Sequence, residues 1–266
     1  MCEIFCFNSD KPKELNKCLE CFYNHSEEHP HGWGLAAMQS DEFVITKEPI
    51  KATCSQHLKD ILSHPIIGKN VFAHIRLATV GEIVSPNCHP FIEADDNNRS
   101  WMLIHNGTIF DYPELDEYKD RENGDTDSER ILLYIIDKIN EFEQAKGAPS
   151  TIKERFNILT GIVSDLSKNN KLNLMIYDGD LTYIHSNMKN SLYYLKNDEG
   201  FLVATTPITD DEDWKEVELN KLFGLIDGNI IFESEEHNNE FVLSKEHEKV
   251  IEEFQKSINR DVNNDY

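Results

Sequence analysis

A cysteine directly follows the initiator methionine, in the opening stretch MCEIFCFN. If Met1 is removed, Cys2 carries a thiol and a free α-amine, so that a nucleophile and a base belong to one residue. An α-amine has an ordinary pKa of about 7.7–8.0, so part of it is neutral near pH 7 and can take the thiol proton. The alternative is that Cys2 is an ordinary buried residue of a first β-strand.

Four short polar stretches, each at the end of an apolar run, supply further groups that could do chemistry. They are HPHGWGLA (29–36), HIRLATVG (74–81), HNG (105–107) and GDTDSE (124–129). Polar groups at the point where a buried strand stops often line a binding or catalytic site. A site is therefore expected where these stretches meet.

Arg76 interrupts a segment that otherwise has the composition of a buried strand. A buried arginine needs an anionic partner, and its planar guanidinium matches the two oxygens of a carboxylate. A ligand carboxylate and a structural salt bridge both satisfy this pattern.

Asn106 and Gly107 in HNG offer two hydrogen-bond donors side by side. The asparagine supplies an amide N–H, and a glycine lets its backbone N–H approach a ligand closely. Two such donors can form an oxyanion hole. The alternative is a hairpin turn, because Asn-Gly is a common turn dipeptide.

Asp125 and Asp127 lie at the start of a predicted long helix. One carboxylate can cap the helix, while the other can accept hydrogen bonds from a ligand ammonium. Thr126 is a second candidate for the cap, with Glu129 spaced for a capping box. Capping stays an alternative for either aspartate.

These groups together match one kind of ligand. A guanidinium for a carboxylate and a carboxylate for an ammonium would hold an amino acid by its zwitterionic head. A thiol beside an oxyanion hole would then meet a carbonyl in the side chain of that amino acid. Glutamine, or another γ-glutamyl amide, fits this description.

The chain resembles the class II glutamine amidotransferases, which are N-terminal-nucleophile (Ntn) hydrolases. Four features occur in the family's order: the cysteine after Met1, HIRLATVG followed by NCHPF, HNGTI, and GDTDSE. The resemblance runs from residue 1 to about residue 136 and implies a single domain over 1–266. The implied fold is α+β, a four-layer αββα sandwich with two stacked antiparallel sheets between helical layers.

The resemblance also implies a role for each matching residue. Cys2 would be the nucleophile, with Asn106 and Gly107 as the oxyanion hole. Arg76 would bind the substrate α-carboxylate and Asp127 its α-amino group. Thr79 and His89 match positions that line the glutamine pocket. Gly32 and Gly34 match a glycine-containing turn near the nucleophile that allows close packing.

The sequence departs from the sugar-phosphate branch of the family at two positions. Leu77 stands where that branch has tryptophan, and Val80 where it has histidine. The HPHGWGLA stretch and the length resemble instead the stand-alone members, among them amidohydrolases that cut γ-glutamyl bonds in glutathione breakdown and ergothioneine synthesis. The resemblance implies no metal or organic cofactor.

Composition and charge exclude several classes of partner. The 266 residues carry 26 basic and 49 acidic side chains, a net charge of −23, which disfavours nucleic acid and anionic membrane surfaces. No apolar run is long enough to span a membrane, and the N-terminus is too polar for a signal peptide. A cytoplasmic location is therefore expected, with ammonia either released or passed to a separate synthase subunit.

Two hypotheses from other classes of protein fit the same sequence. One is a catalytically silent protein that binds amino acids or regulates a partner. The other is a zinc module built on Cys18 and Cys21, with His25, His29 and His31 downstream. The segment around the two cysteines also has helical periodicity, which is typical of core packing instead.

Periodicity predicts the secondary structure that would position the site. Strands are expected at CEIFCF, at a GWGLAAMQ–FVITK hairpin turning at Ser40–Glu42, at NVFAHIRLA, at WMLIHNG, and at five runs after residue 170. Helices are expected over 11–23, over SQHLKDILS, from about 125 to Gly147, over 151–167 and over 244–258, followed by a frayed tail.

Overall fold

The computed structural model describes residues 2–39, 42–210 and 213–264. Two antiparallel sheets form its centre. The first sheet has the order β11-β9-β10-β1-β4-β2-β3. Its strands, numbered in chain order through the protein, are β1 Glu3–Glu14, β2 Trp33–Gln39, β3 Glu42–Glu48, β4 Ile67–Ile75, β9 Tyr193–Asn197, β10 Gly200–Ala204 and β11 Lys215–Glu216.

The second sheet has the order β13-β12-β8-β7-β6-β5. It consists of β5 Phe91–Ala94, β6 Ser100–Thr108, β7 Lys171–Tyr177, β8 Thr182–Ser186, β12 Lys221–Ile226 and β13 Asn229–Glu233. Both sheets contain strands from the first and the second half of the chain. The two halves therefore cannot be separated without breaking strand pairs.

Helices cover the outer face of each sheet: α1 Asn16–Asn24 and α2 Gln56–Leu62 on the first, and α3 Asp127–Lys146 and α4 Ile152–Leu166 on the second. A fifth helix, α5 Lys245–Asn264, follows β13 in the chain. Leu19 and Phe22 of α1 and Leu58 of α2 pack on the first sheet. The apolar faces of α3 and α4 pack on the second sheet, with Ile135 and Leu159 among the buried residues.

A third apolar layer lies between the two sheets. Ile4, Cys6 and Phe72 of the first sheet meet Ile104 and Met175 of the second, and all five side chains are at most 1% exposed. The alternation of side chains along each strand sends one set to this layer and the next to the helices. These packing relations confirm the expected α+β sandwich of four layers.

Most of the expected elements are confirmed. α3 ends at Gly147, whose left-handed backbone (φ +73) forms the cap, and α4 begins at Thr151 with a complete capping box. α2 is the short helix expected over SQHLKDILS. β2 and β3 pair as the expected hairpin, while Ser40 and Asp41 of its turn lie outside the described residues.

The ends of two elements were predicted wrongly. Residues 11–14 belong to β1 rather than to a helix, because after an irregularity Lys13 and Glu14 pair with Gly68 and Ile67 of β4. The helix that was expected over 11–23 is α1 and begins at Asn16. At the other end, α5 continues to Asn264, so residues 260–264 are helical rather than a frayed tail.

No helix within the described parts of the chain combines the length and the apolar character needed to cross a membrane.

The layer between the sheets should carry much of the stability. Ile104→Ala removes a side chain that is fully buried there, and we expect a loss of about 2–5 kcal/mol in the free energy of unfolding. Ile231→Ala on β13 is the matched control, because that side chain is 51% exposed, and it should change the value by less than about 0.5 kcal/mol. Urea denaturation followed by circular dichroism measures both. Equal losses would contradict this assignment of the core.

Candidate active site

Cys2 lies immediately before β1, and its thiol contacts the backbone that follows β4. Sγ accepts a hydrogen bond from the Leu77 N–H and donates one to the Leu77 carbonyl, and the donor–acceptor distance is 3.4 Å in both. Pairing of Glu3 with Ile75 at the end of the β1–β4 ladder brings the two segments together. The half-buried thiol therefore lies beside the residue that follows Arg76.

Arg76 is buried and contacts a tight loop after β4. Its guanidinium donates to the backbone carbonyls of Glu82 (2.7 Å), Val80 (2.9 Å) and Gly81 (3.0 Å). Within the described residues, no carboxylate oxygen forms a salt bridge with it. The structural salt bridge considered from the sequence is therefore absent there. A guanidinium has five N–H groups, so donors remain for a further acceptor.

The HPHGWGLA stretch packs against this arginine through its backbone. The His31 N–H donates to the Arg76 carbonyl (3.0 Å), and the Arg76 N–H donates to the Gly32 carbonyl (2.8 Å). Nδ1 of His31 accepts from the Ala78 N–H at 3.0 Å. Burial, and then the charge of Arg76, lowers the pKa of His31, which is consistent with a neutral ring that accepts at Nδ1.

Asn106 and Gly107 lie within β6 rather than in a turn. They pair with Asn173 and Leu172 of β7, so the hairpin-turn interpretation is wrong. The Asn106 side chain is 1% exposed. Its Nδ2 donates a long hydrogen bond of 3.4 Å to Thr205 Oγ1. The same Thr205 oxygen accepts a hydrogen bond of 3.0 Å from the Ile4 N–H. Asn106 therefore faces the beginning of β1.

A side chain at Gly107 would not fit. A Cβ there would lie 2.0 Å from the Lys171 carbonyl oxygen and 2.1 Å from His105 Nε2. Glycine at this position thus allows β7 to approach β6 closely. Gly34 has the same function in β2, because a Cβ would lie 1.8 Å from the His89 carbonyl oxygen. Gly34 bears out the expectation of close packing, although it belongs to a strand rather than a turn.

Asp127 begins α3 but does not cap it. Thr126 is the N-cap, and its hydroxyl accepts from the Glu129 N–H. Asp127 is 8% exposed, and its two oxygens accept from the Ile109 N–H (2.9 Å) and the Ser128 hydroxyl (3.2 Å). Its carboxylate is also favoured by the positive end of the helix dipole.

The neighbouring acidic residues support the loops around the site. Glu129 accepts from the Asn123 and Gly124 N–H groups, so the predicted capping box with Thr126 does not form. Asp125 accepts from the Glu82 N–H and from the Asn87 amide, which connects the loop that binds Arg76 to the start of α3. The aspartate-capping interpretation is therefore wrong for both Asp125 and Asp127.

One small pocket collects nearly all of the predicted residues. Its empty space is about 290 Å³, at the lower end of the range of small-molecule pockets. Of the seven residues predicted for the site, six line it: Cys2, Arg76, Thr79, His89, Gly107 and Asp127. Asn106 is absent from its wall, because its side chain is directed to Thr205. A somewhat larger apolar cleft lined by Phe201 and Phe223 lies elsewhere and has little chemistry to offer.

Three buried histidines lie at or next to the pocket, since His89 and His105 line it and His74 packs against His89. Burial lowers the pKa of His74, His89 and His105, and the charge of Arg76 contributes for the first two. The His74 and His89 rings meet edge to face with 3.9 Å between centroids. His105 Nδ1 lies 2.9 Å from the Ser128 hydroxyl, which donates to Asp127. Burial thus favours the neutral form of these three rings, while the guanidinium of Arg76 and the carboxylate of Asp127 share the pocket wall.

Three residues at the site were not predicted from the sequence. Lys171 begins β7 and is 2% exposed, with Nζ 3.1 Å from Asn106 Oδ1. Thr205 and Ser128 connect Asn106 and Asp127 to their surroundings. Lysine at the start of an apolar run is typical of an exposed strand end, so no sequence signal distinguished Lys171. Serine and threonine are too common for their types to mark a site.

The candidate zinc ligands do not come together. Cys18 and Cys21 are half-buried on α1 and pack against the core under the first sheet. His25 pairs with Glu3 at 2.9 Å, and His29 Nδ1 lies 2.9 Å from the His25 carbonyl. Among the residues that the structure describes, no group of three or more His, Cys, Asp or Glu side chains could hold a metal ion.

The two facing antiparallel sheets with flanking helices are similar to the Ntn-hydrolase folds of glutamine amidotransferases. Residues 1–201 match the family of class II glutamine amidotransferases, and the chain belongs to this family. An uncharacterized protein of Methanocaldococcus jannaschii is 30% identical over 87% of this chain and 71% of its own length.

Solved structures show the same fold. A Pseudomonas aeruginosa protein described as a predicted glutamine amidotransferase matches 87% of this chain and 95% of its own, with a TM-score of 0.58 and 20% identity. The glutamine phosphoribosylpyrophosphate amidotransferase of B. subtilis matches 88% of this chain and 49% of its own, with a TM-score of 0.62 and 18% identity. At these identities the likeness concerns the fold alone.

The close approach at Gly107 generates a prediction. In Gly107→Ala, the methyl group must displace β7 or His105, and we expect a loss of about 1–3 kcal/mol in the free energy of unfolding. The control is Gly161→Ala in α4, where nothing lies within 4 Å of the added Cβ. It should gain about 0.5–1 kcal/mol from the better helix propensity of alanine. Urea denaturation compares them, and a stable Gly107→Ala protein would contradict the described packing.

Proposed function

We propose that this protein is a glutaminase-type amidohydrolase in which Cys2 attacks the side-chain amide of glutamine or of another γ-glutamyl compound. The supporting observation is that Cys2, Arg76 and Asp127 line one small pocket. A nucleophile, a cation and an anion at such short range match a zwitterionic amino acid with a reactive carbonyl at the end of its side chain.

The head of the substrate would be held by opposite charges. Arg76 would use its remaining N–H groups for the α-carboxylate, since its bonds to loop carbonyls already hold the guanidinium in place. Asp127 would accept from the α-ammonium. Thr79 and His89 would complete the pocket wall, and Thr79 Oγ1 lies 3.1 Å from the Thr108 hydroxyl at the end of β6.

Attack would begin with transfer of the thiol proton of Cys2 to a base. The α-amine of Cys2 serves as that base once Met1 is removed; Met1 itself lies outside the described residues. The thiolate then bonds to the δ-carbon, and the carbonyl oxygen becomes an oxyanion. The Gly107 N–H and Asn106 Nδ2 would stabilise it, and one such donor is worth about 3 kcal/mol.

Breakdown of this intermediate would release the leaving nitrogen. The protonated amine gives that nitrogen a proton as the C–N bond breaks, so that ammonia or a larger amine departs and a thioester remains. Water then attacks the thioester carbonyl, which releases glutamate and regenerates the free thiol of Cys2. We propose that a single domain carries out both steps and that the amine is either released or passed to a separate subunit.

Removal of the thiol tests the nucleophile. Cys2→Ala should keep the fold and lose at least about 10³-fold of the glutaminase activity, because no other thiol lines the pocket. The matched control is Cys54→Ala, which replaces an exposed cysteine and should keep full activity. Glutamate release measured by an enzyme-coupled assay, with circular dichroism for the fold, compares the variants. An active Cys2→Ala protein would exclude Cys2 as the nucleophile.

Neutralising Asp127 tests the ammonium site. Asp127→Asn should raise KM for glutamine about 10-fold or more while kcat changes less, since the lost interaction is with the unreactive head. Asp165→Asn, at an exposed ion pair with Lys168, is the control and should leave KM unchanged. An unchanged KM in Asp127→Asn, with lower thermal stability, would assign this residue only to positioning Ile109.

A panel of substrates tests the reaction itself. Glutamine, glutathione and other γ-glutamyl amides should all yield glutamate with this head-group pocket, and the ratio of ammonia to amine release identifies the preferred leaving group. D-glutamine and N-acetylglutamine are controls, because the first misplaces and the second neutralises the α-amine. Release of no glutamate from any compound would favour the catalytically silent, amino-acid-binding alternative.

A further inference from the structure

A lysine is buried beneath the proposed oxyanion hole. Lys171 begins β7 and pairs with Thr108 of β6, and only 2% of it is exposed. Nζ lies 3.1 Å from Asn106 Oδ1. A lysine is rarely so fully buried, because the charged form loses its hydration. Its location at this point therefore suggests a function beyond packing.

The backbone of Lys171 is built into the same site. Its carbonyl lies 3.3 Å from His105 Nε2 and would be 2.0 Å from a Cβ at position 107. The preceding Asn170 accepts from the Phe110 and Asp111 N–H groups, which follow β6. The start of β7 thus holds both flanks of the Asn106–Gly107 pair, so Nζ is placed on Asn106 by a rigid element.

The contact determines which way the Asn106 amide faces. An ammonium only donates hydrogen bonds, so the atom of Asn106 that faces Lys171 must be the acceptor Oδ1. Nδ2 is then directed the opposite way, towards Thr205 at 3.4 Å and the beginning of β1. A flipped amide would bring two donors together and turn the carbonyl oxygen towards the developing oxyanion.

The charge of Lys171 also reaches Cys2. Burial lowers the pKa of Lys171 to about 8, and attraction to Cys2 opposes this shift. The lysine therefore has two connections to the chemistry: one through the amide of Asn106 and one through space to the sulfur.

We propose that Lys171 is a positioning residue, whose ammonium orients the Asn106 amide towards the oxyanion and favours the Cys2 thiolate. The proposal rests on the amidohydrolase function proposed above. It concerns the protonated lysine, which neither touches the substrate nor gives up its proton during the reaction. The neutral amine could accept a hydrogen bond and would no longer enforce the amide orientation.

The sign of the pH effect follows from the protonation state. Below about pH 8 the ammonium is present, and above it the neutral amine prevails, so kcat should fall as the pH rises through about 8. The other groups facing this region act differently. The thiol and α-amine of Cys2 gain activity on losing protons, and His105, with its lowered pKa, is already neutral. The carboxylate of Asp127 on α3 also faces His105 and raises its pKa, against the larger effect of burial.

The experiment measures kcat and KM for glutamine between pH 6 and 10 in the full-length chain. Wild type should lose activity on the alkaline side with an apparent pKa of about 8. Lys171→Met, which is similar in length and apolar, should lower kcat about 10–100-fold with KM changed less than about threefold, and the alkaline loss should disappear. Lys171→Arg keeps a cation and should recover part of kcat, with the loss moved above pH 10.

Lys47→Met is the control for losing the ammonium of a half-buried lysine outside the site. Nζ of Lys47 donates to the Cys88 and Pro90 carbonyls at 2.7 and 3.2 Å, and burial lowers its pKa as well. This variant should lower the thermal midpoint without changing the pH profile of kcat. If Lys171→Met behaves like Lys47→Met, with kcat within threefold of wild type, the proposal is wrong. If Lys171→Met does not fold, the pH profiles of kcat for wild type and Lys171→Arg test the proposal instead. An alkaline loss at the same pH in both proteins would then contradict it.

A second readout separates this proposal from the proposed function. The rate at which iodoacetamide alkylates Cys2 at pH 7, followed by peptide mass spectrometry, reports the thiolate fraction without any substrate. It should fall about threefold or more in Lys171→Met and stay unchanged in Lys47→Met. If wild type releases no glutamate, the proposed amidohydrolase function is wrong, and the alkylation rate of Cys2 alone then tests the proposal for Lys171. Equal alkylation rates in wild type and Lys171→Met would overturn the inference.

Discussion

The register between β1 and β4 is the constraint on which the rest of the site depends. Glu3 pairs with Ile75, so the residue before β1 meets the residues that follow β4. A shift of one position would turn Cys2 to the other face of the sheet. The register is strongly determined because Ile4 and Phe5, on opposite faces of β1, are both fully buried. β2 extends the arrangement, since Arg76 exchanges backbone hydrogen bonds with His31 and Gly32.

The second sheet supplies the opposite wall of the pocket. Gly107 belongs to β6, and Asp127 begins the helix that packs on that sheet. The distance between the two walls is set by the apolar layer between the sheets, in which Ile4 and Ile104 take part. Burial of many apolar side chains at about 25 cal/mol per Å² offsets the cost of enclosing Arg76 and Lys171 at its edge. Polar groups of this kind therefore persist only where a large core supports them.

Features that depend on neighbouring residues could be predicted from the sequence. Thr151 and Glu154 form a local capping box, and Gly147 ends α3 in a left-handed conformation. Both signals lie within a few residues of the helix end. The start of α1 was misplaced because residues 11–14 pair with β4, more than fifty residues away. Pairing over that distance overrides local propensity, and no local pattern reveals it.

The same distinction between local and long-range features applies to the candidate active site. The types and spacing of Cys2, Arg76, Asn106, Gly107 and Asp127 were sufficient to predict a glutamine-like ligand, because each side chain has one obvious complement. Their immediate partners could not be predicted. Arg76 binds three backbone carbonyls instead of a protein carboxylate, and Thr126 rather than an aspartate caps α3. Such choices depend on which groups meet after the sheets have packed.

The sequence by itself therefore determined the residue types available for chemistry, the family, and helix ends with a local capping signal such as the end of α3 and the start of α4, since these depend on residue types and short-range order. Only the tertiary structure decided that Lys171 lies against Asn106 and that Cys2 lies against Leu77. The physical reason is that each contact joins residues more than sixty positions apart. The distance between them is set by strand register and by the thickness of a packed core, and no short stretch of the sequence predicts either quantity.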